Sequence, residues 1–207
     1  MRRSLKLKGI ISVLLFQYIL QCSGGGDEVI TAIDNPGSAV GYLYRYDGKA
    51  ADRAEIKAVP VDNLPNSFPS SYPSHTDSKG RFEFSIPNGD YNIYCAQDSL
   101  RALLRVKIQG TILLPNDTLK LPGRIEGVVR LAGGEDCRTV LIMIRGYDAK
   151  NMISGPTDTS GAFTLDSLAE GNYQIRFVTT YSSYPVLDTS FNVLSGKSTD
   201  AGTIMMK

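Results

Sequence analysis

One histidine, three cysteines and no tryptophan leave this 207-residue chain few groups that could move a proton, hold a metal or carry a covalent intermediate. His75 sits in the Pro- and Ser-rich loop of Pro65 to Ser74, next to the hairpin, with no nucleophile and carboxylate at triad spacing around it. It reads as a solvated histidine, and no catalytic residue is expected. Asp77 and Asp158 each open an Asp-x-x-Gly element, a spacing that could begin a calcium loop. Calcium takes roughly six to eight oxygens, and neither hairpin offers the set of following acids that would complete such a site, so both aspartates are expected to shape turns. No metal and no cofactor is expected. Binding chemistry is left to aromatic rings: Phe68 and Tyr72 in the long loop of the first half, and Tyr181 and Tyr184 in the segment Thr180 to Pro185, which reads as its counterpart in the second half. Exposed rings can stack on sugars or mark a partner site, so these four are candidate ligand contacts. The competing reading is that they anchor loops over the ends of the fold, and the absence of tryptophan favours it.

The elements that must position these residues are written twice. Thr76-Asp77-Ser78-Lys79-Gly80-Arg81-Phe82-Glu83-Phe84 returns as Thr157-Asp158-Thr159-Ser160-Gly161-Ala162-Phe163-Thr164-Leu165. Gly89-Asp90-Tyr91-Asn92-Ile93 returns as Gly171-Asn172-Tyr173-Gln174-Ile175. Ala39-x-Gly41-x-Leu43 and Ile125-x-Gly127-x-Val129 are matching opening strands, and a glycine kept inside a strand marks a close approach or a bulge. In the Thr-Asp-x-x-Gly-x-Phe element the aspartate can bond its own backbone, and the glycine supplies positive φ where the strand resumes. Tyr91 and Tyr173, two residues after a turn glycine, fit a tyrosine corner. The second strand of the second copy is apolar from Val140 to Ile144, so alternation does not assign its register and burial on both faces is open. Residues 98–108 allow a helical turn or an alternating strand. No stretch carries a convincing helical period, and about seven short strands per copy predict antiparallel sandwiches.

The order apolar-x-Gly-x-apolar, Thr-Asp-x-x-Gly-x-Phe and Gly-x-Tyr resembles the carboxypeptidase regulatory-like domain. That family is a transthyretin-like (prealbumin-like) Greek-key β-sandwich of about 80 to 90 residues. The resemblance covers residues 37–121 and 123–207, with Pro122-Gly123 as almost the whole linker. It implies an all-β fold of two tandem sandwiches and a non-catalytic accessory or surface role. The broader fold group includes starch-binding and Cna-B-type domains, and some of the latter carry a Lys–Asn crosslink activated by a buried acid. Lys57 and Glu55 share a strand here, but no acid and Asn are placed to match in both copies, so no crosslink is expected.

Arg2, Arg3, Lys6 and Lys8 precede an apolar run from Gly9 to Leu20, too short for a comfortable membrane span, which takes roughly 20 residues. Residues 1–21 therefore read as a signal peptide and 22–36 as a flexible tether. Cys22, after Ile19-Leu20-Gln21 and before a Ser/Gly run, resembles the lipobox cysteine of bacterial lipoproteins, although Gln21 stands where a small residue is usual. The resemblance implies cleavage before Cys22, a lipid on its sulfur and anchoring in the cell envelope, with Ser23 pointing to an outer membrane. Loss of the signal removes four basic and no acidic groups, taking the net charge from +1 to about −3. With no basic stripe either, nucleic acid is not an expected partner. Cys95 lies at period two with Tyr91 and Ile93, on an apolar strand face, which favours a buried thiol; a disulfide to Cys137 is conceivable in an oxidising compartment. The expected function is that of a non-catalytic, lipid-anchored envelope protein presenting two sandwiches for structural or protein-interaction roles. The alternative is a carbohydrate-binding surface lipoprotein that helps capture polysaccharide.

Overall fold

The computed structural model describes residues 36–62, 71–147, 153–155 and 159–207; Cys22, Phe68 and Asp158 lie outside them. The first copy builds β1 (Gly37–Arg45), β2 (Glu55–Pro60), β3 (Tyr72–His75), β4 (Arg81–Ile86), β5 (Gly89–Gln97), β6 (Leu100–Ile108), β7 (Thr111–Leu113) and β8 (Asp117–Leu119). The second builds β9 (Gly123–Leu131), β10 (Val140–Ile144), β11 (Ile153–Ser154), β12 (Ala162–Leu168), β13 (Gly171–Thr179), β14 (Leu187–Val193) and β15 (Ser198–Met206). A 3-10 turn at Cys137–Thr139 is the only helical element among the described residues.

Both copies fold to one topology. In the first, β3-β2-β5-β6 faces a sheet in which β1 pairs with β4 on one side and with β7 and β8 on the other. In the second, β11-β10-β13-β14 faces β12-β9-β15. The closing strand runs parallel to the opening strand in each. Period-two alternation buries Phe82, Phe84, Ile93 and Cys95 in the first core, and Phe163, Leu165, Ile175 and Phe177 in the second. The fold is thus all-β, two sandwiches in tandem, as the repeat predicts.

The strand glycines have a visible cause. Gly41 pairs with Phe82 and Gly127 with Phe163, and each phenyl ring lies over its glycine. A Cβ at Gly41 would stand 2.4 Å from the Phe82 ring, and one at Gly127 would stand 2.9 Å from Phe163. The hairpin behaves as its residues predict: Asp77 Oδ1 accepts from the Lys79 and Arg81 amides at 2.8 and 3.0 Å, and these bonds hold its carboxyl below the usual range. Gly80 and Gly161 take φ of 76° and 72°. Both tyrosine corners form: Tyr91 donates to the Pro87 carbonyl and Tyr173 to that of Ala169, each at 2.9 Å.

The structure decides two details that the sequence leaves open and corrects a third. Residues 100–108 are strand throughout, because β5 and β6 form a hairpin in which Gln97 pairs with Leu100 across Asp98-Ser99. β10 alternates after all: Val140, Ile142 and Ile144 are buried while Leu141 is 42% exposed. Pairing to β11 and β13 sets that register, which the uniformly apolar sequence left open. The Tyr181–Tyr184 segment joins β13 to β14, so its counterpart is the Asp98-Ser99 turn rather than the long β2–β3 loop.

Candidate functional site

The predicted aromatic contacts fall in separate places. Tyr72, on β3, is half-buried against the first core, and its ring meets that of Tyr91 edge-on at 6.0 Å. Tyr181 and Tyr184 pack half-buried against the second core. The Tyr184 hydroxyl donates to Glu135 Oε2 at 2.5 Å and accepts from the Gly133 amide at 2.8 Å, tying the β13–β14 connection to the β9–β10 turn. The same bond holds the Glu135 carboxyl below its ordinary value and raises the Tyr184 phenol. The structure therefore brings Tyr181 and Tyr184 together and keeps Tyr72 apart from them. Phe68 and Cys22 lie outside the described residues.

His75 is the exposed last residue of β3, paired with Glu55 across the ladder rather than lying in a loop. Lys57 Nζ meets Glu55 at 2.9 Å on the same strand. Cys95 and Cys137 are both buried and free, and burial pushes the Cys95 thiol far up, so it packs as a small apolar side chain. Thr76, absent from the sequence reading as a structural group, is 3% exposed; its hydroxyl accepts from Ala54 N at 2.7 Å and donates to the Ala51 carbonyl. A threonine that precedes the turn aspartate in both copies is the signal that could have singled it out.

The arrangement that sequence reasoning missed is the seam between the sandwiches. Alternation in β5 turns Tyr91, Ile93 and Cys95 inward and leaves Asn92 and Tyr94 on the outer face of the sheet. Those two side chains meet the second copy at one carbonyl: Gly146 O accepts from Asn92 Nδ2 at 3.0 Å and from the Tyr94 hydroxyl at 3.1 Å. The Tyr94 and Tyr147 rings meet edge-on at 4.3 Å, and Tyr94 and Leu103 pack against the second core. Burial raises the Tyr94 phenol well above its ordinary range, keeping it a neutral donor. Gly146 sits at φ 66°, and a Cβ there would stand 2.6 Å from Asn92 Nδ2. Near the linker, Lys120 Nζ meets Glu170 at 2.8 Å and Ser195 Oγ donates to the Leu121 carbonyl at 3.0 Å. The seam thus combines aromatic packing, neutral hydrogen bonds and one exposed ion pair. It can hold two sandwiches against each other.

No family model matches the chain, and no curated protein matches it significantly. Among solved structures, the chain is similar to GBS52, the minor pilin of Streptococcus agalactiae, at 13% identity over 83% of this chain and 95% of that one, with a TM-score of 0.39. A streptococcal ancillary pilin matches at 10% identity over 81% of this chain and 62% of that one, TM-score 0.38. The shaft pilin SpaA of Lactobacillus rhamnosus GG matches at 13% identity over 83% and 97%, TM-score 0.30.

Proposed function

We propose that this protein is a non-catalytic, lipid-anchored component of the cell envelope whose two sandwiches, docked side against side, serve structural or protein-interaction work. The observation that carries the reading is the seam. Two modules joined by a bare Pro-Gly linker could swing freely, yet the outer face of β5 and β6 is committed to the second copy through Asn92, Tyr94 and Leu103. Domain contacts within a chain allow relative motion unless the interface is well packed, and aromatic contact with two hydrogen bonds to one carbonyl restrains it. Cys22 supplies the anchor in this reading, and the Ser/Gly-containing tether supplies the distance from the membrane.

Growth of producing cells with labelled palmitate tests it. Wild type is expected to take up label and to sediment with membranes, and Cys22→Ala to lose both properties. Label retained by Cys22→Ala would remove the anchor from the reading.

A further inference from the structure

We propose that the cleft beside the seam binds the carboxylate-bearing unit of an acidic sugar. The cleft measures ≈ 350 Å³ and is lined by Val61, Asp62, Asn92, Arg105, Arg145 and the Asn172/Gln174 pair. Its volume lies in the roughly 300–1,000 Å³ range of small-ligand sites. Val61 apart, every lining side chain is polar.

Charge pairing elsewhere on the molecule makes the two arginines unusual. Arg45, Arg53, Arg81, Arg124, Arg138 and Arg176 each meet a carboxylate. Arg101 donates to the carbonyls of Asp98 and Leu100. Among the described residues Arg105, Arg130 and Arg145 make neither kind of contact, and Arg105 and Arg145 line the same cleft, one contributed by each sandwich. Two guanidiniums sharing one cleft repel each other, and an anion between them relieves this while offering oxygens that match their planar forks. Asp62 is the one acid of the lining and forms no ion pair with either arginine within 4.0 Å. Asp188, whose charge is felt near Arg145, is already held by Arg176 at 2.7 and 2.8 Å.

A second, independent feature narrows the ligand. Asn92 is 5% exposed; its Nδ2 is fixed on Gly146 O, and its Oδ1 is the one buried side-chain polar atom without a partner among the described residues. That oxygen can only accept. A bare inorganic anion such as sulfate brings acceptors alone, whereas a sugar acid carries hydroxyl donors next to its carboxylate, the complement that an enclosed acceptor at the cleft wall lacks. Asn172 and Gln174 each offer donor and acceptor and suit the same hydroxyls. An acidic peptide shares the carboxylate but not the row of hydroxyls, which suit the side-chain amides of the lining, and tetraglutamate is its control.

The full-length chain in detergent, titrated with tetragalacturonate in a calorimeter, tests this and is indifferent to lipid on Cys22. Binding is expected, weakened about tenfold or more by Arg105→Gln and by Arg145→Gln, with Arg105→Lys keeping part of it and Arg130→Gln all of it. A neutral tetrasaccharide should not bind. Absence of binding at millimolar ligand, an equal loss with Arg130→Gln, or equally tight binding of sulfate or tetraglutamate would overturn the proposal; unchanged circular dichroism of each variant separates lost contacts from lost fold.

Discussion

The two sandwiches share a topology and a register and differ in how each is closed and filled. In the first, the closing strand is cut into β7 and β8 by Leu114-Pro115-Asn116, with Leu114 turned into the core; in the second, β15 runs unbroken beside β9 and absorbs its irregularity between Asp200 and Thr203. The first core is rich in alanine, with Ala39, Ala51, Ala54, Ala58 and Ala102 buried, where the second places Ile125, Val140, Ile142, Ile144 and Met206. Constant features across this difference identify what the topology requires: a glycine under a phenyl ring, a left-handed glycine just before the strand resumes, and a tyrosine tied to the carbonyl four residues back. Core volume and strand continuity are free to vary because neighbouring side chains can compensate for them. A backbone carbonyl pressed against a glycine has no such freedom.

The largest expected effects break that shared frame. Gly80→Ala would place a Cβ 2.3 Å from the Leu43 carbonyl, and Gly161→Ala would place one 2.1 Å from that of Val129, each at positive φ. Left-handed strain plus the forced backbone shift should cost about 2–5 kcal/mol in either copy, read as a fall in urea midpoint. Loss of hydrogen-exchange protection should concentrate in the sandwich carrying the change.

Next in size is the seam. Tyr94→Ala removes the hydrogen bond to Gly146 and the edge-on contact with Tyr147. It should cost about 2 kcal/mol and separate one thermal transition into two, by calorimetry. A single sharp transition in the variant would show that the sandwiches are coupled by other contacts.

The tyrosine corners compare the copies directly. Tyr173→Phe leaves a carbonyl short of a partner in a fully buried setting, and Tyr91→Phe does so in a half-buried one. Losses near the upper and lower ends of about 0.5–1.5 kcal/mol are expected respectively, from chemical denaturation. Burial drives the Tyr91 phenol up to about 12, so neither corner should titrate below strongly alkaline pH.

The smallest effects are electrostatic and opposite in sign. Asp117, in the interrupted closing strand of the first copy, has its carboxyl raised by burial. A carboxyl raised on folding contributes stability at pH below its unfolded value of 3.8, and that contribution is lost as pH rises through the folded value. Asp117→Asn, which keeps the acceptor for Thr118 N, should therefore raise the melting temperature slightly at pH 7, with the gain vanishing in acid. In the second copy Glu135 is lowered by Tyr184, so its contribution is present above the ordinary value of 4.5 and fades as pH falls through the lowered one. Tyr184→Phe should flatten that acid limb in thermal melts of the second sandwich.

Legibility followed the range of the interactions involved. Turn chemistry at Asp77 and Gly80, the strand glycines and both corners are local or near-local, and each residue type permits few backbone solutions, so they could be read directly. The register of β10 could not, since five consecutive apolar residues carry no alternation and only its partners β11 and β13 choose a face. The repeat does not place Tyr181 and Tyr184, because it aligns strands faithfully and loops poorly. Of the candidate contacts, the packing of Tyr184 on Glu135 and Gly133 spans about fifty residues of chain and leaves no pattern in sequence.

The chain by itself determined an all-strand architecture written twice, because a left-handed glycine, a turn aspartate and alternating apolar residues each act within a few positions. Only the tertiary structure decided what the outer faces do. Asn92, Tyr94, Arg105 and Arg145 look like ordinary surface residues until Gly146 is brought to β5; their roles depend on which surface meets them, and that is a property of three-dimensional contact rather than of sequence spacing.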